Sequence, residues 1–247
     1  TRAQLLALSP DQPLSPKSAQ RFARLLARRA AREPLPYLLG HWEFYGLDLL
    51  VDRRVLIPRP ETEHLVERAI ARARSQPLSS PVICDVGTGS GCITIALARH
   101  LPHARLYAID LSAEALAVAK ANATRWGVRA HIEFLQGDLL EPLPERAHLI
   151  VANLPYVSAN EWESLPPEVG QYEPRGALDG GDDGLALVRR LLPQVRGRLG
   201  APGFLLLEVG ATQAEAVGQL AHALWPQAVI DYIQDYAGHT RLVEVSL

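Results

Sequence analysis

The sequence has few of the residues that mark secreted, membrane or metal-binding proteins. It contains no methionine and only two cysteines, Cys84 and Cys92, which supports neither a disulfide framework nor a metal site. No apolar run approaches the roughly 18 residues of a transmembrane helix, and we expect no signal peptide. We therefore expect buried thiols, no bound metal, no membrane partner and a cytoplasmic location. Since the chain starts at Thr1 without methionine, we also expect its native start to lie outside this sequence.

An excess of positive charge is also missing. The net charge is −2, and Lys17 and Lys120 are the only lysines. Such a chain lacks the basic field that drives non-specific binding to nucleic acid. Its 247 residues, 48% of them hydrophobic, suffice for one large α/β domain with a small appendage.

A glycine-rich turn organises the main domain. An apolar run at residues 81–84 precedes Asp85-Val-Gly-Thr-Gly-Ser-Gly91, and a second apolar run at residues 92–98 follows it. This pattern predicts a strand, a tight turn and a helix whose N-terminus can face a ligand. The spacing G-x-G-x-G differs from the dinucleotide fingerprint G-x-G-x-x-G, and no Gly-Lys-Ser/Thr follows to bind phosphate.

A carboxylate at the end of the next predicted strand restricts the class of ligand that the turn can bind. Asp110 lies nineteen residues after Gly91, where it can accept hydrogen bonds from both hydroxyls of a ribose. The turn and Asp110 together resemble the S-adenosylmethionine site of Rossmann-like methyltransferases, although a structural turn or another nucleotide site remains possible. After the third strand, Asp138 can accept from an adenine amino group and Leu139 can pack on the ring. The residues predicted to bind the cofactor are Asp85, Gly87, Thr88, Gly89, Ser90, Gly91, Asp110, Asp138, Leu139 and Asn153.

Alternating patterns from residue 81 onward predict a mostly parallel sheet. Strands are expected at 82–86, 105–109, 131–135, 148–152 and 204–208, and helices near 91–100, 112–126, 183–199 and 211–224. Two further strands, at 228–234 and 241–246, form a closing antiparallel hairpin. The predicted fold is α/β, a Rossmann-like seven-stranded sheet with a small N-terminal helical domain.

The segment before the sheet divides into two parts. Residues 1–36 are predicted to be a helical domain with Ser15 as a helix cap, and residues 37–56 to be a β-hairpin linker. The methyltransferase domain is expected over residues 57–247, where Thr62 is predicted to cap the first helix.

Asn153-Leu-Pro-Tyr156 follows the fourth strand and points to the acceptor. An amide or exocyclic amine is a poor nucleophile, so the protein must accept hydrogen bonds from its NH₂ group and align its nitrogen with the methyl donor. The Asn153 side-chain carbonyl and the Leu154 backbone carbonyl can do this, Pro155 stiffens the turn, and Tyr156 can cover the flat group. A plain proline turn after a strand is the alternative. The predicted catalytic residues are Asn153, Pro155 and Tyr156, and the same residues with Leu154 would bind the substrate.

A wider set of motifs resembles the PrmC/HemK family of protein-(glutamine-N5) methyltransferases. It comprises Pro36–Leu47, Ile57–Glu63, Asp85–Gly91, Asn153–Tyr156, Glu173–Leu185 and Leu207–Gly210, in order along nearly the whole chain. The resemblance implies that S-adenosylmethionine is the cofactor, with S-adenosylhomocysteine as product. It also implies that the substrate is the glutamine of the Gly-Gly-Gln motif in class I peptide-chain release factors, held partly by the N-terminal helices. The family usually has proline where this chain has Leu154, which would alter the stiffness of the loop.

The expected mechanism is direct in-line methyl transfer to the amide nitrogen, with no strong general base. Glu61 and Glu208 are carboxylates that either assist from behind the site or serve the structure alone. Three alternatives stay open: methylation of a ribosomal-protein glutamine, adenine-N6 methylation of nucleic acid, and a silent binding module of the same fold. We expect a monomer with no direct nucleic-acid substrate.

Overall fold

The computed structural model describes residues 13–247 and begins with a helix. Helix α1 (Pro16–Ala30) starts after Ser15, whose hydroxyl accepts from the Ser18 backbone N–H at 3.2 Å. The predicted cap is therefore confirmed. Residues 1–12 of the predicted helical domain lie outside the described part of the chain.

A short helical turn precedes the hairpin. Helix α2 (Leu35–Leu39) ends at Gly40, which adopts a left-handed conformation with a φ of 79°. Strands β1 (His41–Phe44) and β2 (Leu47–Leu50) then pair antiparallel. The hairpin prediction is right for residues 41–50 and wrong for residues 51–56, which form no strand. It is also wrong for residues 37–39, because Pro36 favours the first turn of a helix and Gly40 can end it.

The main domain is a seven-stranded sheet in the order β5-β4-β3-β6-β7-β9-β8. Its five parallel strands match the predicted positions within one or two residues, except that the fifth starts five residues earlier than expected. The closing hairpin is antiparallel, as predicted. The strands are β3 (Val82–Val86), β4 (Arg105–Asp110), β5 (Ile132–Gln136), β6 (Ala147–Asn153), β7 (Leu199–Glu208), β8 (Val229–Gln234) and β9 (Thr240–Ser246).

Helices cover both faces of this sheet. In β3, Ile83 belongs to the apolar cluster on one face and Cys84 to the cluster on the other, which explains why the strand is hydrophobic throughout. The first face carries helices α3 (Thr62–Ser75), α4 (Cys92–His100) and α5 (Ala113–Arg125). The second carries α8 (Ala186–Arg198) and α9 (Ala214–Leu224), and two short helices, α6 (Ala159–Trp162) and α7 (Pro167–Gly170), lie in the long connection after β6. Within residues 13–247, no helix is long and apolar enough to cross a membrane.

Polar residues end the central strands at one edge of the sheet. Asp110 ends β4, Asn153 ends β6 and Glu208 ends β7, and the pairing of β6 with β7 places Asn153 directly beside Glu208. The carboxyl ends of parallel strands are where open α/β sheets bind ligands. The fold therefore brings the predicted site residues together at the edge where chemistry is expected.

Candidate active site

A cavity of about 500 Å³ opens at this edge, beside the glycine-rich turn. Strand ends supply the polar side chains of Asp110 and Asn153, and the residues after β4 and β5 supply apolar side chains such as Leu111 and Leu139. Of the predicted cofactor residues, six line the cavity: Gly87, Gly89, Asp110, Asp138, Leu139 and Asn153.

The glycine turn is built for close packing on the helices behind it. Gly91 has a φ of 81°, and a Cβ atom there would lie 3.1 Å from both Ala119 and Ile95. A side chain at this position would meet both crowding and backbone strain. The turn is also tied to the neighbouring strand, since the backbone N–H groups of Gly87 and Thr88 both donate to the Ile109 carbonyl at 2.9 and 3.0 Å.

The other predicted cofactor residues lie in or behind the turn and do not line the cavity. The carboxylate of Asp85 is 1% exposed and accepts from the hydroxyls of Thr88 and Thr94. Burial is the main cause that raises the Asp85 pKa, to about 6, and its Oδ1 has no hydrogen-bond partner among the described residues. Ser90 is also buried. These contacts fix the shape of the turn, and direct contact of Asp85, Thr88, Ser90 or Gly91 with a cofactor stays a prediction.

Asp110 faces the cavity from the end of β4. Its two carboxylate oxygens accept from the backbone N–H groups of Gly89 at 2.8 Å and Ser112 at 2.9 Å. Burial raises its pKa above the usual value, and the backbone hydrogen bonds oppose that rise. Each oxygen retains a further lone pair, which suits the two hydroxyls of a ribose.

The wall beyond Asp110 combines one carboxylate with an apolar side chain. Asp138 lines the cavity and forms an ion pair with Arg190 of α8. Leu139 has a φ of 51° and is buried, with its side chain in the same wall. Contact of these residues with an adenine ring stays a prediction, and Arg190 is a neighbour of Asp138 that the sequence did not reveal.

A second, smaller cavity of about 260 Å³ adjoins the first. Asn153, Leu56 and Ala177 line both cavities, while Arg59 and Tyr156 line only the second. Asn153 therefore stands between a space large enough for a nucleoside-like cofactor and a space that can receive a side chain. This arrangement is what a transfer between two ligands requires.

The Asn153 amide is anchored at one end. Its Nδ2 donates to the Thr62 hydroxyl at 3.1 Å, which leaves Oδ1 as the acceptor available to a substrate. Thr62 is 2% exposed and is the first residue of α3, whose start has no side-chain cap. The prediction that Thr62 caps the helix is wrong, because its hydroxyl bonds across to Asn153.

Leu154 occupies the position at which the PrmC/HemK family, which the sequence resembles, usually has proline. Its side chain is buried, and a Cβ atom on Gly87 would come within 3.3 Å of it. Packing of Leu154 against the glycine turn thus joins the acceptor motif to the wall of the larger cavity.

Tyr156 is held by a glycine-rich loop. Gln213 Nε2 donates to the Tyr156 carbonyl at 2.8 Å, and a Cβ atom on Gly184 would lie 2.2 Å from both of these atoms. Gly180 also passes close to the Tyr156 Cα atom, so the loop at residues 180–184 fits against this backbone without side chains. Burial raises the pKa of the Tyr156 phenol to about 12, so it stays neutral at physiological pH.

Two functional contacts escaped the sequence reasoning. Arg59 donates to Glu173 Oε1 at 2.6 Å, and Glu173 Oε2 accepts from the Ile57 backbone at 3.1 Å. This nearly buried carboxylate ties the Arg-Pro-Glu-Thr-Glu segment to the Glu-Pro-Arg-Gly-Ala-Leu segment, whose Ala177 and Leu178 line the second cavity. Both motifs are visible in the sequence, but only the fold shows that they contact each other. The Gln213 contact had no sequence signal.

Comparison with known proteins gives a consistent result. A family model described as the PrmC N-terminal domain matches residues 1–40, and one described as a methyltransferase domain matches residues 83–171. The release factor glutamine methyltransferase of Moorella thermoacetica is 46% identical over 98% of this chain and 84% of its own length. That of Geobacter sulfurreducens is 48% identical over 84% of this chain and 71% of its own length.

A solved structure supports the fold. The methyltransferase from Pyrococcus furiosus has a TM-score of 0.58 to this chain at 16% identity, covering 92% of this chain and 98% of its own. With the methyltransferase-domain match, this likeness confirms the predicted Rossmann-like α/β fold.

Proposed function

Since the chain belongs to the family of release factor glutamine methyltransferases, we propose that it methylates the N5 nitrogen of a release factor glutamine. The chemical class is a methyltransferase that uses S-adenosylmethionine. The proposed substrate is the glutamine of the Gly-Gly-Gln motif in class I peptide-chain release factors. The single observation that supports this best is the position of Asn153 between the two cavities.

The larger cavity fits the cofactor by the chemistry of its wall. Asp110 offers acceptors for ribose hydroxyls, Leu139 offers an apolar surface for a base, and Gly87 and Gly89 allow close approach of the backbone. When bound, S-adenosylmethionine supplies an electrophilic methyl group on a sulfonium. The protein's part is to place this group at the side of Asn153.

The second cavity would receive the glutamine side chain. Asn153 Oδ1 and the Leu154 carbonyl would accept from the two amide hydrogens, which directs the nitrogen toward the larger cavity. Tyr156 would pack on the planar amide from inside the second cavity. Because its pKa is raised to about 12, this phenol serves as a neutral wall and not as a base.

We extend the proposal to the domains. Residues 1–36 would help to hold the release factor, residues 37–56 would connect, and residues 57–247 would carry out the reaction. Ion pairs link the first part to the main domain, since Arg29 of α1 and Arg32, two residues after its end, contact Glu168 of α7 at 3.1 and 2.7 Å. Val169, the next residue of α7, lines the second cavity, so α1 is linked to the acceptor site.

The test is transfer of labelled methyl from S-adenosylmethionine to a purified class I release factor. We expect label on the intact factor and none when its Gly-Gly-Gln glutamine is changed to alanine. Asn153→Ala should remove the activity, while Asn160→Ala, an exposed asparagine in α6, should retain it. Label on a ribosomal protein or a nucleic acid in place of the release factor would overturn the substrate assignment.

A further inference from the structure

Glu208 is a buried carboxyl group that the proposed reaction does not yet use. It ends β7 beside Asn153, is 5% exposed, and its Oε2 has no hydrogen-bond partner among the described residues. Burial is the largest of the effects that raise its pKa, to about 7, whereas the side chains of Thr62 and Asn153 lower it by hydrogen bonding. A carboxyl group that titrates near neutral pH at this position calls for an explanation.

Asn153, Thr62 and Glu208 lie together, and the hydrogen bond from Asn153 to Thr62 joins two of these three side chains. Asn153 Nδ2 donates to the Thr62 hydroxyl, so the hydroxyl hydrogen is free to point elsewhere. An ionised Glu208 can only accept, and it therefore draws that hydrogen toward itself. Asn153 then donates to Thr62, and Thr62 donates to Glu208. The Asn153 carbonyl is left on the side of the amide that faces away from Thr62.

Protonation of Glu208 would reverse the direction of these hydrogen bonds. A neutral carboxylic acid can donate to the Thr62 oxygen, which frees the Thr62 hydrogen to donate to the Asn153 carbonyl. The amide would then turn and present its NH₂ group to the second cavity. An NH₂ group cannot accept from the NH₂ group of a glutamine, so this orientation would not hold the substrate.

We propose that Glu208 is a positioning residue, which in its ionised form orders the Thr62 hydroxyl and thereby directs the Asn153 carbonyl toward the second cavity. The inference rests on the proposed function, because it assumes that Asn153 accepts from an amide substrate. It assigns to Glu208 no contact with the cofactor or the substrate.

Other charged and titratable groups surround Glu208 on every side. Glu61, which precedes α3, raises its pKa, and Arg241 of β9 lowers it. Arg241 is itself paired with Asp235 at 3.1 Å. Tyr156 and Cys92 also face the carboxyl group, but both have pKa values of about 12, so neither titrates with it near neutral pH.

The first test reads the Asn153 side chain itself and needs no activity. The chain has only three asparagines, Asn122, Asn153 and Asn160, so protein labelled with ¹⁵N-asparagine gives three side-chain NH₂ pairs. We expect the Asn153 pair to shift with a midpoint near pH 7, and this titration to vanish in Glu208→Gln. The chemical shifts of the Asn122 pair, which donates to the Leu50 and Ser90 carbonyls, should not change with pH. An Asn153 pair that does not titrate, or that titrates unchanged in Glu208→Gln, overturns the inference.

The second test measures kcat against pH with the release factor. The wild type should lose activity below about pH 7, and Glu208→Gln should lose this acid limb together with about tenfold in kcat above pH 8. Glu61→Gln is the matched carboxylate control. It should keep the acid limb, but at lower pH, because Glu61 raises the Glu208 pKa. Thr62→Val should match Glu208→Gln, while Thr62→Ser should restore the wild-type profile.

The two proposals fail differently. If the wild type labels no release factor at any pH, the proposed function is wrong, and the amide titration still decides about Glu208. If the wild type is active but Glu208→Gln keeps the acid limb, or Thr62→Val keeps full kcat, the positioning role is wrong and the function stands.

Discussion

Replacement of Gly184 by alanine tests whether the glycine-rich loop positions Tyr156. Gly184 has a φ of 76°, and a Cβ atom there would lie 2.2 Å from the Tyr156 carbonyl oxygen and from Gln213 Nε2. Ordinary contact needs 3.4 Å or more, so the atoms must separate by about 1 Å. Either the loop or Tyr156 has to move.

The expected magnitudes follow from these contacts. A left-handed alanine costs about 1–2 kcal/mol, and loss of the 2.8 Å Gln213 hydrogen bond adds about 1 kcal/mol. We therefore expect the free energy of unfolding to fall by about 2–3 kcal/mol. A displacement of about 1 Å at a substrate-positioning residue lowers kcat by up to about 100-fold.

Gly127→Ala is the matched control for this experiment. Gly127 has a φ of 69°, but a Cβ atom there would meet nothing within 4 Å. The free energy of unfolding of Gly127→Ala should fall only by the cost of a left-handed alanine, about 1–2 kcal/mol, and its kcat should not change. Urea unfolding and methyl transfer to the release factor measure the two effects for both variants. Equal kcat values for Gly184→Ala and the wild type would refute the positioning role of the loop.

Three further predictions concern charged groups at the sheet edge. Because the Glu208 pKa is raised from 4.5 to about 7, ionising this group lowers the free energy of unfolding as the pH rises between these values. The free energy of unfolding of Glu208→Gln should therefore exceed that of the wild type by about 3 kcal/mol at pH 8 and by much less at pH 5. Urea unfolding at both pH values measures this gain, and a difference independent of pH would contradict it. Asp110→Asn weakens two hydrogen bonds from backbone N–H groups and the proposed ribose contacts, so calorimetry should show cofactor affinity reduced about 10- to 100-fold. Arg190→Ala frees the Asp138 carboxylate and should raise the KM for S-adenosylmethionine several-fold without lowering kcat; an unchanged KM would show that this ion pair does not shape the cavity.

The sequence predicted the sheet well because its strands alternate with helices of regular length. The parallel strands and major helices of the main domain lie where the apolar pattern placed them, except for the early start of β7, and Asp110 and Asn153 lie at strand ends as predicted. Local pattern suffices for such elements, since each depends on its own run of side chains.

Long-range partners could not be predicted. Thr62 has the residue type of a helix cap, yet its hydroxyl bonds to Asn153, which is 91 residues away. Glu173 lies 114 residues from Arg59, and only the folded chain makes them an ion pair. The helical conformation of residues 37–39 was not predicted for a different reason, because aromatic residues flanked by glycines favour a hairpin over so short a helix.

The two cavities differ in the part of the chain that builds them. Asp110 at the end of β4 lines only the larger cavity, whereas Leu165, Val169 and Leu178 of the long connection after β6 line only the smaller one. Insertions and substitutions in a surface connection are tolerated far better than changes in a central strand. Substitutions at Leu165, Val169 and Leu178 can therefore reshape the smaller cavity alone, whereas substitutions at Pro174, Gly176 or Ala177 of the same connection would also change the larger one.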